Sequence, residues 1–293
     1  MNETPSARLR KRIGEGGDPL LLPGAPNALT ARLIEEVGFE AIYLSGAGIA
    51  NTYLGAPDIG LVTLSELADH VGAMRDAVSL PIVVDGDTGF GNAINVARAV
   101  RLLERAGANA IQLEDQVSPK RCGHFEGKAV ISTAEMVGKI KAATDVRQDD
   151  DFVLIARTDA LALHGLADAC DRAEAYLAAG ADVAFVEAPV SRDELCSIPT
   201  RVSGPTMANI VEGGKTPPLT LDDLADAGFR IVLYANTAMR AAMLAMRSVL
   251  THLHQTGDSL ALRDQIASWD ERQALVRKPE FDALDQRYAA GPA

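Results

Sequence analysis

The sequence predicts an α/β fold, a (β/α)8 TIM barrel followed by extra C-terminal helices. Eight short apolar runs recur along the 293 residues, mostly about 20–45 residues apart. The segments between them carry apolar residues at every third or fourth position, as amphipathic helices do. Eight buried strands that alternate with helices are typical of a closed parallel barrel. A doubly wound sheet is the alternative, but GDTGFGN lacks the glycine spacing of a dinucleotide-binding fingerprint.

Four of the predicted strands follow a helix that ends in glycine, a residue that readily adopts positive φ. These glycines are Gly38, Gly107, Gly180 and Gly228. In chain order the predicted strands lie in LLLPG (20–24), EEVGFEAIYLS (35–45), PIVVDGD (81–87), ERAGANAIQLE (104–114), DFVLIARTD (151–159), LAAGADVAFVE (177–187), PTMANI (205–210) and DAGFRIVLYA (226–235).

Two long helical segments follow the last strand, over 237–255 and about 259–276. An eight-stranded barrel needs only one helix at this point, so the second is surplus. The sequence therefore predicts a catalytic barrel over residues 1–255 and a helical extension over residues 256–293.

Composition excludes several classes of protein. The 28 Lys and Arg against 40 Asp and Glu give a net charge of −12, which disfavours binding to nucleic acid or to an anionic membrane surface. The chain shows no apolar run of membrane-spanning length, and its N-terminal segment does not resemble a secretory signal. The 3 cysteines are too widely spaced for a paired-Cys zinc site. We expect a cytoplasmic enzyme that acts on a small molecule.

Polar residues end seven of the eight predicted strands. Barrel enzymes place their reacting groups at the carboxyl ends of the strands, so this set predicts an active site. The residues are Ser45, Asp85 with Asp87, Glu114 with Asp115, Arg157 with Asp159, Glu187, Asn209 and Tyr234.

A metal site is predicted at VVDGDTGFG. Asp85 and Asp87 leave the strand on the same side, and Glu114 adds a third hard oxygen donor. Such donors suit Mg²⁺, with Mn²⁺ as a possible substitute, whereas neither His nor Cys lies nearby for zinc. The alternative is that the Asp pair only caps the next helix.

The loop PKRCGHFEGK (119–128) is the second predicted constellation. Cys122 lies beside two cations, which favour the thiolate, and can serve as a nucleophile or a proton donor. Lys120, Arg121 and the backbone at 123–124 can hold a carboxylate. The segment ANIVEGGKTP (208–217) is a weaker signal for binding a phosphate or a substrate oxygen.

Six motifs stand in order along residues 20 to 250: SGAG (45–48), DGDTGFGN (85–92), LEDQVSPKRCGH (113–124), ARTDA (156–160), EAP (187–189) and ANIVEGGKTP. Together they resemble the isocitrate lyase / phosphoenolpyruvate mutase superfamily. Within it, KRCGH after the LED strand resembles the carbon–carbon lyases, in particular the 2-methylisocitrate lyase and 2,3-dimethylmalate (2-alkylmalate) lyase groups.

The resemblance implies a Mg²⁺-dependent lyase that splits a 2-hydroxy dicarboxylate into a 2-oxo acid, such as pyruvate, and a carboxylic acid. It implies Asp85 as the direct metal ligand, with Asp87 and Glu114 holding metal-bound water. Tyr43 would help to remove the hydroxyl proton, Arg157 would stabilise the oxyanion, and Cys122 would protonate the departing carbon.

Two groups of residues would hold the carboxylates of the substrate. Ala47 and Gln112 depart from the family pattern, in which Gly and, in the methylisocitrate lyases, His stand at these positions. The α-carboxylate would be bound by Ser45, Gly46 and Ala47, and the far carboxylate by Gly123, His124, Glu187, Asn209 and Arg240.

The substrate is predicted from one position near the C-terminus. Trp269 stands where a tricarboxylate-cleaving member needs an additional Arg, which favours a dicarboxylate of the 2,3-dimethylmalate or 2-alkylmalate type over 2-methylisocitrate. Oxaloacetate hydrolysis or decarboxylation is the alternative; phosphonopyruvate mutase or hydrolase chemistry and a non-catalytic binding barrel are less favoured. The resemblance also implies a homotetramer that exchanges C-terminal helices, which would account for the surplus helix.

Overall fold

Eight parallel strands close into a barrel in the computed structural model, which describes residues 3–120 and 127–289. Each strand pairs in parallel with its neighbours in the chain, and β1 also pairs with β8, so the order is 1 to 8 around the barrel. The predicted (β/α)8 barrel is confirmed. The strands are β1 Leu20–Ala25, β2 Ile42–Leu44, β3 Ile82–Asp85, β4 Ala110–Glu114, β5 Val153–Thr158, β6 Val183–Val186, β7 Thr206–Asn209 and β8 Ile231–Tyr234.

Helices separate the strands as the sequence periodicity predicts. A π-helical turn at Ala50–Leu54 directly follows α3, and a 3₁₀ helix spans Leu260–Gln265. The α-helices are α1 Pro5–Gly14, α2 Ala28–Val37, α3 Gly46–Ile49, α4 Leu64–Ala77, α5 Ala93–Ala106, α6 Thr133–Val146, α7 Leu161–Ala178, α8 Arg192–Arg201, α9 Leu221–Ala227, α10 Thr237–Thr256, α11 Trp269–Leu275 and α12 Lys278–Tyr288.

The chain forms two compact units, residues 1–237 and 238–293. The predicted division between a barrel ending at 255 and an extension from 256 stays a prediction. Of the helices in the described ranges, none combines the length and the apolar character that a membrane span needs.

The four predicted glycines all have positive φ. Gly38, Gly107 and Gly228 cap α2, α5 and α9 at φ values of 99°, 108° and 97°. The amide of each cap residue donates to carbonyls of the last helical turn, which satisfies groups that the helix leaves unpaired. Gly180, at φ 112°, follows α7 by two residues and leads towards β6. These turns direct the chain from each helix into the following strand.

Side chains of each strand alternate between the barrel interior and the helix layer. Tyr43, Val83, Ala110, Ile155 and Phe185 belong to one buried cluster inside the barrel. The same cluster includes two side chains of α1, so the first helix packs against the interior. Because the alternation continues to the strand ends, the next inward positions carry the polar side chains of the site.

Candidate functional site

Four neighbouring strands bring their last inward side chains into contact. The guanidinium Nη1 of Arg157 lies 3.4 Å from Glu114 Oε2, and its Nη2 lies 3.9 Å from Glu187 Oε1. The amide Nδ2 of Asn209 donates to the same Glu187 oxygen at 3.4 Å. The structure therefore brings together four of the predicted site residues from β4, β5, β6 and β7, with Arg157 at their centre.

Asp159 orients Arg157 through a two-pronged ion pair. Its carboxylate accepts from Arg157 Nε at 2.9 Å and Nη2 at 3.1 Å, and from Lys128 Nζ at 2.9 Å. Burial disfavours the charged guanidinium, but Asp159, Glu114 and Glu187 raise the pKa of Arg157 well above its usual value. A permanent, fixed positive charge therefore faces the site.

Asp85 and Asp87 lie on the turn after β3, beside the start of α3. The amide of Gly46 donates to Asp85 Oδ2 at 3.2 Å, and a Cβ at this glycine would lie 3.2 Å from the same oxygen. Asp87 adopts φ 47°, a left-handed conformation that is uncommon outside glycine and is concentrated at functional sites. Gly46 therefore lies directly beside the two aspartates.

Lys120 and Asp58 complete this acidic cluster. The ammonium group of Lys120 is buried and lies 2.8 Å from Asp87 Oδ1 and 2.6 Å from Asp58 Oδ1. Burial disfavours the ammonium ion, yet Asp87, Asp85 and Glu114 raise the pKa of Lys120. The sequence predicted Lys120 as a carboxylate-binding residue, and the carboxylates that it meets here belong to the protein. Asp58 was missed, because a lone Asp in GAPDIG follows no strand and matches no spacing rule.

Tyr43 is held by Gln112 beneath the carboxylates. Its hydroxyl donates to Gln112 Oε1 at 2.8 Å, and Gln112 Nε2 donates to Asp85 Oδ1 at 3.4 Å. Burial and the Asp85 carboxylate raise the pKa of Tyr43 well above 10. The tyrosine is therefore a neutral hydrogen-bonding group in this arrangement.

Ser45 caps α3 and lies next to Asn236. Its Oγ accepts from the Gly48 amide at 3.1 Å and donates to Asn236 Oδ1 at 3.3 Å. Ala47 lies one residue into the same short helix, half-buried. Asn236 was also missed, because it stands two residues beyond the end of β8 rather than on the strand.

Asp115 faces away from the site although it follows Glu114 directly. Its carboxylate accepts from Thr158 Oγ1 and Tyr176 Oη, both at 2.8 Å, and from the Asp159 amide at 2.9 Å. Tyr176 belongs to α7, so Asp115 points into the helix layer. Of the two predicted acidic residues at the end of β4, only Glu114 contributes to the site.

The oxygen donors of the site are of the type that a divalent metal ion prefers. Glu114 is buried and its Oε1 accepts no hydrogen bond from the residues described, while burial raises the pKa of Glu114 well above its usual value. Asp85, Asp87 and Glu114 offer hard carboxylate oxygens, which suit Mg²⁺ and Mn²⁺. Within residues 3–120 and 127–289, however, no three acidic, His or Cys side chains are grouped as a metal site requires.

Five predicted residues are not placed by this geometry. Arg121, Cys122, Gly123 and His124 lie outside the described residues. Arg240 lies on α10, in the second unit. Their roles stay predictions.

A buried acidic cluster with a fixed arginine at the carboxyl ends of barrel strands defines the class of the protein, a barrel enzyme that handles a small polar substrate. The chain belongs to the phosphoenolpyruvate phosphomutase family, whose profile matches residues 9–254. This confirms the superfamily resemblance drawn from the sequence motifs.

Named relatives match nearly the full length of the chain. The 2,3-dimethylmalate lyase of Eubacterium barkeri is 41% identical over 272 residues, which cover 93% of this chain and 94% of the relative. The 2-methylisocitrate lyase of Aeropyrum pernix is 45% identical over 283 residues, which cover 97% and 91% of the two chains.

Solved structures of similar fold include a protein of the same name as one of these relatives. A 2,3-dimethylmalate lyase superposes with a TM-score of 0.92 at 32% identity, over 99% of this chain and 97% of the other. An oxaloacetate acetylhydrolase bound to 3,3-difluorooxalacetate gives 0.91 at 31% identity, over 99% of both chains. A phosphonopyruvate hydrolase complex with oxalate and Mg²⁺ gives 0.88 at 33% identity, over 97% and 99%.

Proposed function

We propose that the protein is a divalent-metal-dependent carbon–carbon lyase that cleaves a 2-hydroxy dicarboxylate into a 2-oxo acid, such as pyruvate, and a carboxylic acid. The observation that carries the proposal is the buried Arg157, held among Glu114, Asp159 and Glu187 beside the Asp85 turn. The relatives named as 2,3-dimethylmalate lyase and 2-methylisocitrate lyase support the same reaction type.

A divalent metal ion, Mg²⁺ in the first instance, would be held by Asp85, Asp87 and Glu114. When bound, it would supply Lewis-acid stabilisation of negative charge on the substrate and help to orient it. The phosphonopyruvate hydrolase structure with Mg²⁺ supports a metal of this kind. Since Lys120 contacts Asp87, we expect its ammonium group to move relative to that carboxylate when the metal binds.

The chain's own residues would perform the remaining steps. The α-carboxylate would bind at Ser45, Gly46 and Ala47, near the amino end of α3. Tyr43 would accept a hydrogen bond from the C2 hydroxyl, whose proton would pass to water as the alkoxide forms, and Arg157 would stabilise the oxyanion.

Breaking the C2–C3 bond leaves its electron pair on C3, and the thiol of Cys122 would deliver a proton there. Transfer by a positioned acid is typically worth about 10²–10⁴ in rate. The far carboxylate would be positioned by Gly123, His124, Glu187, Asn209 and Arg240.

Among substrates of this class, a 2,3-dimethylmalate or 2-alkylmalate remains favoured over 2-methylisocitrate. The argument rests on Trp269, which is 69% exposed at the start of α11 and is stacked by the Arg272 guanidinium at 4.3 Å. An apolar substituent that an enzyme binds against an apolar side chain typically gains about 1–3 kcal/mol, whereas an unpaired buried carboxylate would cost more.

Oxaloacetate hydrolysis is the second candidate, favoured by the structural likeness to an oxaloacetate acetylhydrolase. In this reaction water adds to the C2 carbonyl before the same carbon–carbon bond breaks, so it needs the same groups. Its products, oxalate and acetate, differ from those of a lyase.

The test is incubation of the protein with Mg²⁺ and a panel of substrates, with assay of the products. The panel contains 2,3-dimethylmalate, a 2-alkylmalate, 2-methylisocitrate and oxaloacetate. We expect 2-oxo acid release with the highest kcat/KM on an alkylated malate. Oxalate and acetate from oxaloacetate alone would favour the hydrolase, and the absence of turnover on every compound would refute both proposals.

A cytoplasmic homotetramer with exchanged C-terminal helices completes the proposal. Large apolar side chains of the second unit are exposed within a single chain, such as Leu244 at 68% and Leu250 at 64%, which supports burial by another subunit. Light scattering should give about four times 30.9 kDa; a monomeric mass would contradict the assembly.

A further inference from the structure

Tyr43, Gln112 and Asp85 form a hydrogen-bonded chain inside the barrel. The tyrosine Oη lies 2.8 Å from Gln112 Oε1, and Gln112 Nε2 lies 3.4 Å from Asp85 Oδ1. Gln112 is fully buried, so water does not compete for either end of its amide. Tyr43, Asp85 and Gln112 lie on β2, β3 and β4, which are neighbours in the barrel.

The direction of this chain is fixed by chemistry. An ionised carboxylate only accepts hydrogen bonds, so the NH₂ end of Gln112 must face Asp85. The carbonyl end then faces Tyr43, whose hydroxyl must donate its single proton to it. An amide does not exchange these roles by gaining or losing a proton at ordinary pH. The hydroxyl of Tyr43 is therefore committed as a donor to Gln112.

We infer that Gln112 is a specificity-determining residue, which makes Tyr43 an acceptor towards the C2 oxygen of the ligand and so selects 2-hydroxy acids over 2-oxo acids. A C2 hydroxyl can donate to the free lone pair of Tyr43. A C2 carbonyl oxygen cannot, and would oppose acceptor to acceptor. The inference rests on the proposed function only in placing the C2 oxygen near Tyr43, whose charged surroundings are Asp85, Glu114, Asp87 and Arg157.

The experiment compares the affinities of lactate and pyruvate, in which C2 carries a hydroxyl and a carbonyl respectively; in both, C3 is a methyl group that the lyase would not split off. Dissociation constants are measured by calorimetry at saturating Mg²⁺ for the wild type and for Gln112→Met, which keeps the length but carries no polar group. In the variant the Tyr43 hydroxyl no longer donates to Gln112, so it can donate to the C2 carbonyl of pyruvate. Because pyruvate gains about one hydrogen bond, we expect the pyruvate-to-lactate affinity ratio to rise about three- to tenfold. Equal weakening of both ligands would mean a purely structural role and would overturn the inference.

Tyr43→Phe provides the matched control. Without the hydroxyl, lactate loses its acceptor while pyruvate loses an opposing lone pair, so the ratio should again rise, and adding Gln112→Met should not raise it further. If Gln112→Met does not fold, Tyr43→Phe decides alone, and an unchanged ratio refutes the inference. A shifted ratio without cleavage of any 2-hydroxy acid would refute the proposed function and leave this inference standing; cleavage with unshifted ratios would do the reverse.

Discussion

Replacing Asp159 by Asn tests whether the buried ion pair positions Arg157 for catalysis. Asp159 accepts three charge-assisted hydrogen bonds, from Arg157 Nε and Nη2 at 2.9 and 3.1 Å and from Lys128 Nζ at 2.9 Å. Asn keeps one acceptor oxygen and places an NH₂ donor against a cation. At least one of the three bonds is therefore lost, and two cations remain beside a neutral group.

The expected loss of stability depends on the ion pairs that Arg157 keeps in the variant. Breaking a buried ion pair typically costs about 3–5 kcal/mol. Arg157 keeps Glu114 at 3.4 Å and Glu187 at 3.9 Å, so we expect the lower end, about 3 kcal/mol. At roughly 2 °C per kcal/mol for a chain of this size, Tm should fall by about 6 °C.

The loss of catalysis should be measurable apart from the loss of stability, because the variant is still folded well below its Tm. A guanidinium displaced by about 1 Å towards Glu114 or Glu187 would lower kcat by about 10²-fold. The assay is steady-state cleavage well below Tm, with Asp150→Asn, an exposed site, as the matched control. Near-normal kcat with a lowered Tm would refute the reasoning, because Asp159 would then be structural only.

Three further predictions concern the metal ion, the thiol of Cys122 and the protonation of Asp87. EDTA should abolish turnover and Mg²⁺ or Mn²⁺ should restore it, while Asp85→Ala should lower kcat by more than about 10²-fold; full activity in excess chelator would contradict this. Cys122→Ser should lower kcat by at least about 10²-fold, with little change in the dissociation constant of a non-reactive 2-oxo acid, because the hydroxyl is a far weaker acid; a near-normal kcat would assign the proton to another group. Burial raises the pKa of Asp87 to about 7 from its ordinary 3.8, although Lys120 opposes this. Between these values the folded chain binds a proton that the unfolded chain has lost, so without divalent metal the contribution of Asp87 to stability should fall as pH rises from 4 to 7. Thermal melts across this range should show a shallower decline for Asp87→Asn, and equal slopes would contradict the assignment.

Strand and helix order was predictable because local signals agree with the tertiary fold. The glycines at 38, 107 and 228 end their helices at positive φ, and the apolar runs after them become buried strands. The short α3 and the π-helical turn after it were not predicted. Their lengths of four and five residues leave no periodicity to detect, and their conformation depends on the Ser45 cap and on packing against neighbouring residues.

The candidate site was predictable where residues end strands and not where loops meet. Glu114, Arg157, Glu187 and Asn209 follow from the position of each residue at the end of an apolar strand. The pairing of Lys120 with Asp58 and Asp87 joins segments that are distant in the chain, so it depends on the closed barrel. The period-two alternation of a strand accounts for the opposite directions of Glu114 and Asp115.

Glu114 and Asp115 are neighbours in the chain but face opposite sides of the barrel wall. The inward carboxylate has an oxygen that accepts no hydrogen bond from the described residues, whereas the outward one is saturated by donors from β5 and α7. For directed evolution, this separates two kinds of position along the same strand. Libraries that vary the inward strand-end positions should change catalysis, while the outward network around Asp115 should be kept constant so that the altered enzymes still fold.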